Sequence, residues 1–223
     1  MQNLLTYLTK NMDLLVVGIQ ETIYMVGISM IVAMLFGIPL GIGVVVTEEG
    51  DILENKYLNL ILSIIINVTR SVPFIVLMVA LIPFTRVIVG TSIGTTAAVV
   101  PLSIAAIPFI GRIVENSLKE VDNGVIEAAQ SMGATPWQII SKVLLAEALP
   151  SLVLGMTITA ITLIGFSAIA GAIGAGGLGD IAIRYGYHRF QTDIMIKTVI
   201  LLVIIVQLVQ SFGNWLAKRL DHS

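Results

Sequence analysis

The sequence has no cysteine. That excludes disulfides, thiolate catalysis and cysteine-ligated metals. Only two histidines occur, His188 and His222, and they are not spaced as metal ligands are. There is no G-x-x-x-x-G-K-S/T run, so the chain has no P-loop with which to cradle ATP. Charge is also scarce. Charged residues make up 12% of the 223 positions, where a globular chain carries about 25%. The net charge is −2, and no basic stripe suggests a nucleic-acid partner. The N-terminus lacks a basic n-region and a small-residue cleavage site, so no removable signal peptide is expected. No nucleophile–base pair or metal cluster stands in the apolar runs, which argues against an enzyme.

What is abundant is hydrocarbon. Apolar residues are 57% of the chain, above the usual ~45–50%. One soluble core could not hide that much, and the charges are clustered rather than spread along helix faces. Long charge-free runs separate the clusters: 26 residues between Glu21 and Glu48, 25 between Arg86 and Arg112, 32 between Glu147 and Asp180, and 20 between Lys197 and Lys218. Each can cross a hydrocarbon layer, which takes about 20 helical residues. Backbone groups in lipid must pair internally, so helix is the expected form. A fifth run, Tyr57–Thr85, is interrupted only by Arg70. A charge at mid-membrane costs roughly 3 kcal/mol, so Arg70 should face protein or water. Pro73 removes a backbone donor and suggests a kink.

The expectation is an all-α integral membrane protein with five transmembrane helices, near 22–46, 58–84, 92–112, 149–172 and 196–217. Residues 1–21 would form an amphipathic, external N-terminal segment, and 218–223 a cytoplasmic tail. Loop charge sets the orientation. With the N-terminus outside, the cytoplasmic side holds Lys56, Arg112, Lys119, Lys142, Lys218 and Arg219, and the outer side Lys10, Arg86, Arg184 and Arg189. Gly37-x-x-x-Gly41 and Ser167-x-x-x-Gly171 are candidate close-packing pairs.

Residues 113–148 form the longest connection. Val114, Leu118, Val121, Val125, Ala129 and Met132 draw one apolar stripe at helical spacing. Asp122-Asn123-Gly124 should break it into two short helices. Gly133 suits the position just past a helix end. Thr135-Pro136-Trp137-Gln138 reads as a new start, with Thr135 as N-cap and Gln138 closing a capping box. A plain connection could be a few residues. The stripe must be buried, either on the helix ends beneath it or in a partner's groove.

Glu127-Ala128-Ala129, then Gly133, then Ile140 and Leu149-Pro150, resemble the EAA loop of ABC importer permeases. Ala146-Glu147-Ala148 stands before that final Leu-Pro. Residues 70–75, 82–94 and 174–179 are similar to the methionine-importer branch of this family. The resemblance implies a type I ABC importer permease fold over residues 22–217, with 113–148 as a cytoplasmic helical coupling loop. It implies a homodimer in the plasma membrane of a prokaryote, a separate ATP-binding subunit that carries ATP and Mg, and an external substrate-binding lipoprotein delivering methionine. The chain itself would bind no cofactor. Glu127, Ala128, Ala129, Met132, Gly133 and Ala134 would engage the ATPase. Another amino acid or small nutrient is the alternative cargo, and an oligomeric channel the alternative class.

Other signals are weaker. Thr157, Thr159, Thr162 and Ser167, with Met156 and Phe166 as possible gate residues, are the polar and bulky positions of the fourth span. Among them Thr159, Thr162, Phe166 and Ser167 are the candidate pathway lining, although such hydroxyls commonly bond their own helix. Gly174-x-Gly176-x-x-Gly179 spells a dinucleotide fingerprint but follows a membrane helix, so a tight external turn is expected instead. Arg184, Tyr187 and Arg189 belong to a polar-aromatic patch. It reads as an interfacial anchor or as a contact for the binding protein.

Overall fold

A computed structural model describes residues 11–221. Lys10 and His222 lie outside the described residues. The long helices are α1 (Met12–Val46), α5 (Thr95–Lys119), α9 (Leu149–Ala172) and α11 (Thr192–Leu220), and each is long and apolar enough to cross a membrane. Between α1 and α5 lie α2 (Lys56–Ser71), α3 (Phe74–Ala80) and α4 (Ile82–Val89). Between α5 and α9 lie α6 (Asn123–Ser131), α7 (Pro136–Ile139), a π-helical turn over Ile140–Leu144, and α8 (Leu145–Glu147). A short α10 (Gly177–Ile181) runs into a second π-helical turn, Ala182–Tyr187, before α11.

The expected second span is broken rather than kinked. The chain bends at Val72–Pro73 between α2 and α3, and the two count as a fifth candidate span if the pair is taken as one. Val72 sits between them in extended backbone, at φ −87° and ψ 123°, as a residue before proline must. Arg70 lies at this bend with its guanidinium over the Phe109 ring, 5.3 Å from the centroid. Its charge therefore faces protein, as the cost of burying it in lipid demands.

The chain divides into two compact units. One takes in Met1–Ser29, Phe74–Ser103 and Ile161–Leu208. Its core gathers Leu15, Ile181 and Ile194, with Leu14, Tyr185 and Leu201 packed around them. Phe74, the first residue of α3, stacks on Phe166 with ring centroids 4.4 Å apart. Ser103 is buried here, and its hydroxyl has no partner among the described residues. The carbonyl one turn back, that of Val99, already accepts from Ser29 Oγ at 3.4 Å. Replacing Ser103 by alanine removes an unmatched buried polar group. It should leave the melting temperature of the purified protein unchanged or raise it, by about 1 kcal/mol of stability. A clear drop in melting temperature would show that the hydroxyl has a partner.

The other unit takes in Met30–Pro73, Ile104–Ala160 and Val209–Ser223. Small residues bring its helices together. A Cβ on Gly37 would lie 2.7 Å from the Ile107 carbonyl oxygen, and one on Gly41 would lie 2.6 Å from Val114 Cβ. Gly155 of α9 meets Ile113 of α5, and Gly213 of α11 meets Thr157 of α9. Gly37-x-x-x-Gly41 is thus a real contact stripe. Gly171 of the other pair is a close-approach position as well: a Cβ there would run into Asp180 N and lie 2.8 Å from the Gly176 carbonyl oxygen, in and before α10.

Burial ranks the long helices. In α5, 61% of the most apolar stretch is buried, against 11% in α11. The exposed face of α11 carries Val199, Ile200, Val203, Ile204 and Leu208. Such a face suits hydrocarbon, which is as apolar as leucine itself.

Candidate functional site

The loop after α5 is built from end motifs rather than from a large core. α5 runs on to Lys119 without stopping at Arg112, so the first expected short helix is its continuation. Arg112 does not end it because its charge is matched. Arg112 bonds Glu115 at 2.8 Å and also Asn67 of α2. Glu115, 7% exposed, bonds Lys119 at 3.4 Å, and Lys119 reaches Glu48 at 2.7 Å. A buried carboxylate held between two cations ties the end of α5 to α2 and to the loop after α1.

α6 then starts at Asn123. Asp122 is its N-cap, accepting from Gly124 N at 2.6 Å. The break therefore falls at 120–122, and Asn123 and Gly124 are already helical. At the other end Gly133 has φ +78°. Its N–H bonds the Gln130 carbonyl at 2.9 Å, and Ala134 N–H bonds the Ala129 carbonyl at 3.1 Å. That pair of bonds is the Schellman ending, which needs a left-handed residue at this point. Thr135 follows at once with the expected capping box. Thr135 N donates to Gln138 Oε1 at 2.8 Å, and Gln138 N donates to Thr135 Oγ1 at 3.4 Å.

Burial within the loop splits the apolar stripe. Val114, Leu118, Ala129, Ile139, Ile140, Leu144 and Ala148 are buried, whereas Val125, Met132 and Trp137 are exposed. Met132 is 82% exposed and Trp137 74%. Glu127 and Ala128 are exposed, Ala134 is half-buried, and a side chain on Gly133 would meet open space. Glu127 makes no ion pair among the described residues; with Asn123 and Gln130 it lines a shallow cleft beside Gly50 and Asp51. The loop thus presents a capped, small-residue turn with two large apolar side chains beside it. The helical register makes that stripe visible in the sequence. Only packing decides which of its members stay outside.

The glycine-rich run after α9 is a tight turn, as expected. Gly174, Gly176 and Gly177 have φ of +99°, +85° and +78°. Gly177 N donates to Glu21 Oε2 at 2.6 Å, and Leu178 N donates to Thr22 Oγ1 at 3.0 Å. Glu21 and Thr22 on α1 therefore cap the start of α10. Gly179 lies against the backbone of Ala168 and has no room for a Cβ.

Residues 33–223 match the family described as the binding-protein-dependent transport system inner membrane component. The chain belongs to this family. It is 55% identical to the probable D-methionine transport system permease protein MetI of Vibrio cholerae, over 95% of this chain and 94% of that one. It is 51% identical to the corresponding protein of Pasteurella multocida, over 91% of this chain and 93% of that one. Among solved structures, one of the MetNI methionine ABC transporter in inward-facing conformations matches with a TM-score of 0.94 at 50% identity. The match covers 96% of this chain and 99% of that one. Membership makes this a multi-pass bacterial inner-membrane transport component, neither an enzyme nor a cofactor-binding protein.

Other residues of this inner-membrane component singled out in the sequence fall as follows. Thr159 is buried and donates to the Gly155 carbonyl at 3.0 Å; Ser167 is buried and donates to the Ile164 carbonyl at 2.7 Å. Their hydroxyls are engaged within α9 itself. Thr162 and Phe166 are half-buried. Arg184 pairs with Asp180, and Arg184 and Arg189 lie over the Tyr185 ring at 5.2 and 4.6 Å. Tyr187 is exposed beside His188. Sequence reading missed two groups: the Glu21–Thr22 cap and the Arg112–Glu115–Lys119–Glu48 chain. A charge inside an apolar helix, as at Glu21, was the signal that an internal partner exists.

Proposed function

We propose that this chain is the permease subunit of an ATP-driven methionine importer. It would work as a homodimer with a separate ATP-binding subunit and an external binding protein. The observation that carries this reading is the likeness to the inward-facing MetNI transporter along nearly the whole chain. The loop geometry supports it. A motif of Glu127, Ala128, Ala129, Met132, Gly133 and Ala134, held by caps at both ends, can be pushed as a body by a neighbour that closes on ATP. In this reading the permease domain spans 22–217, the coupling loop is 113–148, and 1–21 and 218–223 are flanking segments. The N-terminus is outside and the C-terminus cytoplasmic. Thr159, Thr162, Phe166 and Ser167 line the pathway, and Arg184, Tyr187 and Arg189 meet the binding protein.

Alternating access is then a two-state equilibrium that nucleotide and binding protein bias. The reading is tested by reconstituting the chain with its ATP-binding subunit and binding protein in proteoliposomes. Uptake of radiolabelled methionine should require ATP and exceed that of other amino acids. Uptake of a different nutrient, or uptake indifferent to ATP, would refute it.

A further inference from the structure

A cavity in the first unit is assigned no role by any of the motifs above. Its walls are mostly apolar and include Met78, Val79, Ile82 and Ala97, from α3, α4 and α5. Two polar residues of α4 break that lining. Thr85 is 4% exposed and makes no side-chain hydrogen bond among the described residues. Arg86 lines the same cavity, and its Nε donates to Ser92 Oγ at 3.1 Å.

That single tether is informative. A guanidinium has five N–H donors in a planar fork, and Nε accounts for one. Ser92 fixes the plane and leaves the two terminal nitrogens for an acceptor. Among the described residues no carboxylate fills that role, because Arg86 makes no ion pair there. The Arg112 and Arg184 guanidiniums, by contrast, each have an acidic partner. A planar fork beside an apolar cavity complements a ligand with a carboxylate at one end and hydrocarbon or thioether at the other. The unmatched Thr85 hydroxyl offers an acceptor for an ammonium group. Met78 is flexible and polarisable and can pack against an unbranched side chain.

We propose that this cavity is a recognition site for the transported amino acid, in which Arg86 holds the α-carboxylate and Ser92 holds Arg86 in plane. The site rests on the importer reading above and adds the residues that bind the cargo. It gives a reason for α4 to be a separate short helix: the break places Arg86 one turn before the left-handed Gly90, whose N–H closes on the Arg86 carbonyl at 2.9 Å.

The test uses the complete reconstituted importer. Arg86→Gln should lower the uptake of radiolabelled L-methionine at subsaturating concentration by about ten-fold or more, the loss of a charge-assisted pair. Arg86→Lys, which keeps charge but not the fork, should fall between. Normal wild-type uptake matched by Arg86→Gln overturns the site and leaves the importer reading intact. Absence of methionine uptake in the wild type overturns both. A second variant guards against misfolding of the first. The chain has no cysteine, so Ile93→Cys, in the cavity wall, places a single thiol in this subunit with Arg86 intact. Millimolar methionine should slow its modification by a charged thiol reagent, read on the permease band, and methioninamide, which lacks the carboxylate, should not. Equal modification rates with and without methionine overturn the site.

Discussion

Gly41→Leu is expected to cut sharply the amount of folded permease recovered in a detergent extract. A Cβ at this position would run into the Gly111 carbonyl oxygen and would lie 2.6 Å from Val114 Cβ and 2.9 Å from Val114 Cγ1. The first of these is backbone, and Val114 is fully buried, so neither can step aside. Gly37, one turn earlier, makes the same kind of approach to Ile107 and Ile110. α1 cannot relieve the clash by sliding. Overpacking of this kind costs about 1–3 kcal/mol and occasionally more, a large share of a total stability of roughly 5–15 kcal/mol. Gly41→Ala should be impaired and Gly41→Leu much more so, read as the height of the monodisperse peak in size-exclusion chromatography. A wild-type peak for the leucine variant would mean that α1 and α5 do not pack as described.

Gly133→Val is expected to behave in the opposite way, keeping the fold and losing transport. Nothing lies within 4 Å of a Cβ built on Gly133, so there is no clash. The cost is conformational: φ is +78°, and a β-branched residue there is strained by about 1–2 kcal/mol. The chain can escape that strain by giving up the Gly133–Gln130 and Ala134–Ala129 bonds and leaving α6 at another angle. A turn that must transmit a push would then yield. The melting temperature should fall by only a few degrees. Methionine uptake and substrate-stimulated ATP hydrolysis should fall about ten-fold or more, the scale of an allosteric coupling energy. Gly133→Asn should keep most of both, because asparagine tolerates the left-handed region. Wild-type uptake with Gly133→Val would remove the loop from the coupling mechanism.

The two glycines also mark how far the sequence could be read. Gly133 was legible because its role is local. A helix end, a left-handed residue and a capping box follow each other within a few positions, and each has its own sequence signature. Gly37 and Gly41 were legible only as a pair four apart. That α5 is the helix they meet is a long-range fact. The same limit applies to charge. Reading charges as boundaries places the long apolar runs well, but starts the first of them at residue 22. The helix begins at Met12 because the Glu21 carboxylate is matched to Gly177 N–H, 156 positions away. Arg112 did not end α5 for a similar reason, its partners being Glu115 and Asn67.

Taken alone, the sequence determined that the chain lives in lipid, where its helical runs lie, and how the loop after α5 starts and stops. These depend on transfer free energies and on hydrogen bonds between near neighbours, which a string of residues carries in full. Tertiary structure decided that the expected second span divides at Val72–Pro73 into α2 and α3, which of Val114, Val125, Ala129 and Met132 are buried, and that Arg86 stands beside an apolar cavity with no ion pair among the described residues. Those outcomes depend on which distant residues arrive alongside, and periodicity within one helix says nothing about that.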